Sequence, residues 1–365
     1  MTRKRRIVTR EVYKWKARLN LDGGKQELGI NYWETYAATS HVLFLIKNLY
    51  GQRQAGRTWQ QHLNKGLAEN GFTPSVADKC VWYRGNVTFM YYVDDGIFIG
   101  PCSKEIDKII KSLQRTFNLT DEGYLSDYLG IKVTHLPDNK ISLTQPHLIS
   151  NIITDMKFAA NTKPKELLAN SSIILQRDLD GTAFDKHWDY QSIIGKLNFL
   201  EKSTRLDIAY AVHQCARFSA NPRKSHANAI KHIVRYLIDT QDKGLIIKPT
   251  GNEFEVYCDS NFVGDYNKDT SHYDLMTAKS RGGHIIMYAR RSIVWSSKML
   301  TEVTLSTTES EYCEISNALR STIPLMNFVN ETRERYNKNL TCMPIVQCKF
   351  LRTTLVLWNC PWCIR

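Results

Sequence analysis

Between residues 55 and 70, apolar side chains recur at Trp59, Leu63 and Leu67. That spacing of four gathers them on one face of a helix, which Gly71 ends. The period then falls to two. Residues 88–93 are β-prone, Asp95-Gly96 is a hairpin turn signal, and 97–99 read as the return strand. Helical spacing resumes over 104–116 through Ile106, Ile109, Ile110 and Leu113. Strand-like pieces follow at 128–134 and 140–144. Thr144 and Pro146 then open another helix in the way a cap and an early proline should.

Residues 161–185 are polar and loop-rich, the natural linker. Helical patterns return at 190–199, 207–218 and 226–240, with Asn221-Pro222 separating the last two. The third places Ile230, Val234 and Leu237 inward and Lys231 and Arg235 outward. From Glu253 the period changes again, predicting strands at 254–258, 283–288 and 293–295 and a helix at 307–328. This β-β-β-α order marks a second, smaller unit, so the expected fold class is mixed α/β (α+β). No internal repeat or low-complexity tract interrupts it.

With 365 residues the chain is long enough for two or three domains. Its formal net charge of +13 favours a polyanionic partner. Anionic membrane is the rival, but it would need a basic amphipathic anchor helix that the pattern lacks. No apolar run approaches the ~20 residues of a membrane span, and the N-terminus has no signal-peptide core. The expectation is therefore a soluble, intracellular protein, cytoplasmic or nuclear, with no membrane partner. The opening MTRKRRIVTR reads as a basic tail. The nine cysteines are odd in number and scattered, which argues against a secreted disulfide framework. A lone CPWC at Cys360–Cys363 is weak evidence for zinc, and unpaired thiols are the preferred reading.

Two aspartates side by side at a hairpin tip, Asp94 and Asp95, carry the candidate chemistry. Adjacent carboxylates repel, so a metal ion is a natural counter-charge. Phosphoryl transfer by two Mg2+ ions needs such ligands with open positions for phosphate. Read alone, the pair is equally well explained as polar turn chemistry.

The surroundings shift that balance. VYKWKARL, INYWETYA, KNLYGQRQAGRTW, YYVDDGIFIG, DYLGIKV, ISLTQPHLI and IIGKLNFLEKSTRLDIAYAVHQCARF together resemble a copia-type reverse transcriptase, from about Val12 to about Val329. The resemblance implies an RNA-directed DNA polymerase that takes an RNA template, a DNA primer and dNTPs. It implies Asp94 and Asp95 as Mg2+ ligands, and Gln54 and Gly56 lining the nucleotide and template site. Lys16 and Arg18 are weaker candidates for triphosphate contacts, since a basic strand in a fingers sheet reads equally well. One departure stands out. The family carries its first catalytic aspartate in a stretch between the ETYA and LYG blocks. Here the blocks are almost continuous, and no acidic residue lies between Glu34 and Glu69.

FEVYCDSNFVGD and WSSKMLTEVTLSTTESEY resemble the ribonuclease H that follows in this family. They imply hydrolysis of an RNA–DNA hybrid, with Asp259 and Glu311 as catalytic metal ligands. Asp265 reads as turn chemistry at Gly264-Asp265. Ser306-Thr307-Thr308-Glu309 has the form of a capping box, which occupies Glu309 structurally and leaves Glu311 as the ligand. Further carboxylates are expected at the end of a later strand. MPIVQCKF begins one, but Lys349 stands where the aspartate is expected.

The expected organisation is a basic arm at 1–11 and reverse transcriptase-like fingers, palm and thumb at 12–160, with part of the palm missing. A linker and helical connection at 161–250, a partial ribonuclease H-like domain at 251–335 and a divergent tail at 336–365 follow. Loss of both activities is expected. The alternatives are a non-catalytic nucleic-acid-binding remnant and a decayed fragment with no selected role.

Overall fold

The computed structural model describes residues 2–5, 12–16, 52–158, 162–165, 175–268, 271–336 and 348–352. By compactness the chain divides into two units, Met1–Glu122 and Gly123–Arg365. The fold class is mixed α/β, with largely antiparallel sheets and packed helices.

In the first unit, β1 (Thr2–Arg5) and β2 (Val12–Lys16) pair antiparallel. The expected basic tail is thus in part a strand, because β2 supplies partners for its backbone groups. Helix α1 (Ala55–Glu69) precedes β3 (Thr73–Pro74), β4 (Val81–Arg84), β5 (Val87–Tyr92) and β6 (Asp95–Ile99), a four-stranded meander followed by α2 (Ser103–Leu113). Gly71 ends α1 as expected. At φ +78° it lets Phe72 N–H donate back to the Leu67 carbonyl at 3.0 Å. Leu63 and Leu67 of α1 and Ile109 and Leu113 of α2 meet Val87, Phe89 and Tyr91 in one core. Each such buried side chain contributes about 1.5–3 kcal/mol, so the sheet face under the hairpin is firmly backed.

The second unit begins with β7 (Asp127–Tyr128), β8 (Ile131–Leu136) and β9 (Lys140–Thr144) and continues into α3 (Pro146–Asp155). Three more helices follow: α4 (Tyr190–Ser203), α5 (Ala209–Ala216) and α6 (Lys224–Asp239). The fourth strand of the first sheet, β10 (Leu245–Ile247), arrives after the whole helical set and pairs with β9. Gly244 makes that return possible, since a Cβ there would lie 2.0 Å from the Leu143 carbonyl oxygen. The helices share a core built from Ile149, Ile193, Leu197, Val212, Ile230 and Leu237, among others.

The β-β-β-α order then appears as β11 (Phe254–Asn261), β12 (Arg281–Tyr288), β13 (Arg291–Met299) and α7 (Thr307–Tyr336). A last strand, β14 (Cys348–Arg352), runs parallel to β11, giving the order β13-β12-β11-β14. Among the described residues no helix is long and apolar enough to cross a membrane.

Where α4 and α5 meet β13, Glu201 is buried and its Oε1 lies 3.7 Å from His213 Nε2. The Trp295 indole donates to the Glu201 main-chain carbonyl at 2.9 Å. Burial pushes the Glu201 carboxyl up to about 7, against the pull of Lys202 and Trp295. Burial and the Arg281, Lys202 and Lys298 cations pull the His213 imidazole down to about 4. For Glu201 the folded value exceeds the unfolded one. Its contribution is therefore fully present below about 4.5 and lost as pH rises through about 7. Glu201→Gln, which cannot ionise, should remove that loss. Urea melts at about pH 5.5 and about pH 8.5 should show a smaller fall in stability for the variant, by about 2 kcal/mol. Equal falls would refute the assignment.

Candidate active site

Strands β5 and β6 pair with Tyr92 opposite Asp95, so Val93 and Asp94 form a two-residue turn. The turn expected at Asp95-Gly96 is therefore placed two residues too late. Packing explains the shift. Gly96 sits in β6 opposite Tyr91, and a Cβ on it would lie 2.6 Å from the Phe89 ring. Phe89 in turn stacks on Phe98 with centroids 4.5 Å apart. Gly96 is needed for ring clearance, not for turning the chain.

Val93 carries the unusual backbone instead, at φ 55°. Positive φ at the first central residue alone is the pattern of a type II′ hairpin turn, where glycine is favoured. For a β-branched residue it costs about 1–2 kcal/mol. Helix α1 braces the strained turn, since the Trp59 indole donates to the Val93 carbonyl at 3.3 Å. One layer down, Tyr91 donates its hydroxyl to Asn64 Oδ1 at 3.2 Å, and burial pushes its phenol up. Asp94 and Asp95 are thus held exposed on a backed turn. They offer the oxygen donors that a hard divalent cation takes, and they leave most of its coordination positions for water or phosphate.

Gln54 is the N-cap of α1 and Gly56 lies in its first turn, both exposed, on the helix that carries Trp59 to the hairpin. A Cβ at Gly56 would meet nothing within 4 Å, so internal packing does not call for glycine there. Lys16 ends β2, where only the backbone is described, and Arg18 lies outside the described residues. The stretch between the ETYA and LYG blocks also lies outside them, as do Cys360 and Cys363.

In the second unit, Asp259 lies within β11 opposite Gly283 of β12, and the Ser260 amide donates to its Oδ1 at 2.9 Å. Glu311 is half-buried near the start of α7. Glu309 takes the expected structural role. Its amide donates to Ser306 Oγ at 3.1 Å, and its carboxylate accepts from the Leu305 amide at 2.6 Å. Among the described residues, no group of three or more His, Cys, Asp or Glu side chains forms a metal site.

Lys349 pairs with Glu255 of β11, and the last β11–β14 pair is Cys258 with Arg352. One position differs from expectation. Asp265 does more than turn the chain. It is buried, 3.2 Å from Arg217 Nη1, 3.7 Å from Arg281 Nη2, and accepts from Gln214 at 3.1 Å. It thereby ties α5 to the β11–β13 sheet.

Residues 38–167 match the sequence profile of the reverse transcriptase (RNA-dependent DNA polymerase) family. A Pol polyprotein from transposon RE1 of Arabidopsis thaliana is 30% identical over 332 residues, covering 88% of this chain and 21% of that protein. The chain belongs to the copia-type Pol family. The Pol polyprotein from transposon TNT 1-94 of Nicotiana tabacum is 28% identical over 301 residues, covering 80% of this chain and 22% of that Pol protein. A putative transposon Ty5-1 protein of Saccharomyces cerevisiae is 27% identical over 286 residues, covering 76% of this chain and 89% of its own length. The copia-type chain thus spans about a fifth of the two plant polyproteins.

One buried cluster of this copia-type chain escaped sequence reasoning. Arg205, 2% exposed, donates from Nη1 to the Thr240 carbonyl at 2.7 Å and from Nη2 to Asp207 Oδ2 and Thr240 Oγ1, both at 2.8 Å. Asp207 also accepts from the Tyr236 hydroxyl at 2.9 Å. The available signal was a basic and an acidic residue two apart in an otherwise apolar run, STRLDIAYAV.

Proposed function

We propose that the chain is a reverse transcriptase–ribonuclease H segment of a copia-type element that retains its nucleic-acid framework and has lost most of its chemistry. The braced turn carries this reading: Asp94 and Asp95 are presented on a strained Val93 held by Trp59, an arrangement that folding alone does not require. In this role residues 12–160 act as fingers, palm and thumb, 161–250 as linker and connection, and 251–335 as the ribonuclease H-like part. Asp94 and Asp95 would hold Mg2+, whose chemistry when bound is to stabilise charge on the transferring phosphate. Gln54 and Gly56 would line the template and nucleotide site, with Lys16 and Arg18 toward the triphosphate. Asp259 and Glu311 would be the corresponding ligands toward an RNA–DNA hybrid. Such substrates place the protein in the cytoplasm or nucleus.

Impairment follows from ligand count. The acid-free interval from Glu34 to Glu69 leaves the hairpin pair without a third carboxylate from that stretch. Between Glu331 and Arg365 the only acidic residue is Glu334, so that stretch offers Asp259 and Glu311 one further carboxylate at most. Two carboxylates per site would bind cations weakly, since oxygen ligand number and charge set affinity. The purified chain is expected to bind a primed RNA template and to incorporate no dNTP above background in Mg2+. Mg2+-dependent extension that disappears in Asp95→Asn would overturn the impairment. Hybrid cleavage that disappears in Asp259→Asn would do so for the second site.

A further inference from the structure

Helix α6 is amphipathic with unequal faces. Ile230, Ile233, Val234 and Leu237 are at most 2% exposed, which anchors the helix in the core. Its other face, with Phe158 after α3 and Lys163 from the following segment, borders a cavity of about 480 Å3 into which Asn228, Lys231 and Arg235 contribute. The segment is tied to the helix from both directions. Arg235 Nε donates to the Lys163 carbonyl at 2.7 Å, and the Lys165 amide donates to the Arg235 carbonyl at 3.2 Å. Among the described residues, no carboxylate forms an ion pair with Lys163, Lys231 or Arg235. Asp185, the acid that Lys231 influences, is already bonded to His187.

We propose that this cavity seats the sugar–phosphate backbone of a nucleic acid strand. Three cations around one concavity, none in an ion pair among the described residues, attract a phosphate, and the volume lies in the range of nucleotide-sized pockets. Lys231 and Arg235 stand one helical turn apart, a repeat of about 5.4 Å, so they can serve phosphates in succession along one strand. Phe158 gives an apolar wall for a sugar or base, and Asn228 a donor and an acceptor. Membrane fits poorly. A surface-bound helix inserts its apolar face into lipid, and the apolar face of α6 is already buried in the protein core. The site rests on the nucleic-acid reading above but on none of its carboxylates.

The test uses the full chain and a fluorescently labelled RNA–DNA hybrid, with anisotropy titrations across a salt series. Lys163→Ser/Lys231→Ser is the informative variant, because both ammonium groups are free of structural bonds; Arg235 is spared for its tie to Lys163. A thermal melt matching the wild type shows that the variant folds. Each lost phosphate contact should lower the slope of log K against log salt by about 1, so the double variant should lose about 2. Affinity at low salt should fall roughly 10–100-fold. An unchanged slope and affinity in the folded variant would overturn the site while leaving the general nucleic-acid reading intact. Failure of the wild type to bind the hybrid at all would overturn both. A variant that keeps hybrid binding but loses binding to phosphatidylserine vesicles would show a lipid site instead, and would also overturn it.

Discussion

Arg205→Ala is expected to destabilise the Gly123–Arg365 unit by about 3–5 kcal/mol, the usual cost of stripping one partner from a buried charge pair. The guanidinium is 2% exposed and spans two elements: its near partner Asp207 precedes α5, and Thr240 caps the end of α6. Its face also lies 5.5 Å from the Tyr236 ring centroid. Removing it strands the Asp207 carboxylate, 10% exposed, with the Tyr236 hydroxyl as remaining side-chain donor. It also leaves the Thr240 carbonyl without its guanidinium donor. Lysine cannot replace it, because one ammonium cannot reproduce the planar fork that reaches both groups at once. For a unit of this size, 1 kcal/mol moves the melting midpoint about 2–4 °C, so a fall of roughly 6–20 °C is expected. A change below about 1 kcal/mol would show that water enters the cluster and that the pair is not effectively buried.

That cluster illustrates what the sequence conveys and what it does not. Helix α1 was legible because Trp59, Leu63 and Leu67 repeat at the helical period and Gly71 stops it; α6 was legible through Ile230, Val234 and Leu237. Local rules suffice where one element's own pattern decides its state. They failed at the hairpin, where Asp95-Gly96 is a good turn signal in isolation. There the Phe89 ring occupies the space beside residue 96, so the glycine belongs to the strand and the turn moves to a β-branched valine. Long-range pairings leave still less local trace. Nothing within residues 245–247 says that they will join β9, a hundred residues earlier. Likewise the Lys349 register against Glu255 depends on how β14 docks on β11, which no spacing along the chain reports. For the candidate sites, Asp94, Asp95, Asp259 and Glu311 came from motif resemblance. The supporting contacts of Trp59, Arg205 and Glu314 needed coordinates, because each links residues more than two turns apart.

Glu314→Ala should be the second large effect, again about 3–5 kcal/mol. Ser310, Glu314, Ala318 and Thr322 form the buried face of α7, and Glu314 is 2% exposed at its centre. Its Oε1 lies 2.7 Å from His284 Nδ1 of β12, and its Oε2 accepts from Asn317 at 3.3 Å. Gly282, two residues before His284, leaves room for the carboxylate, since a Cβ there would lie 2.0 Å from Oε2 and 3.0 Å from Leu300. Truncating Glu314 empties that space and leaves a buried imidazole without its acceptor, so a cavity cost adds to a lost hydrogen bond. The consequence reaches the candidate site. Glu311 precedes Glu314 by one turn on the same helix, and Asp259 pairs with Gly283 between Gly282 and His284. The His284–Glu314 bond therefore sets how the start of α7 docks on the strands that carry Asp259. A double-mutant cycle with His284→Ala, followed by denaturant melts, should return a coupling of about 1–3 kcal/mol. Gly282→Ala should weaken the same bond from the opposite side, with hydrogen exchange rising first in β12 and the N-terminal half of α7. Additive single-site losses would mean that the two side chains are neighbours without a shared bond, and that α7 takes its position from its apolar face alone.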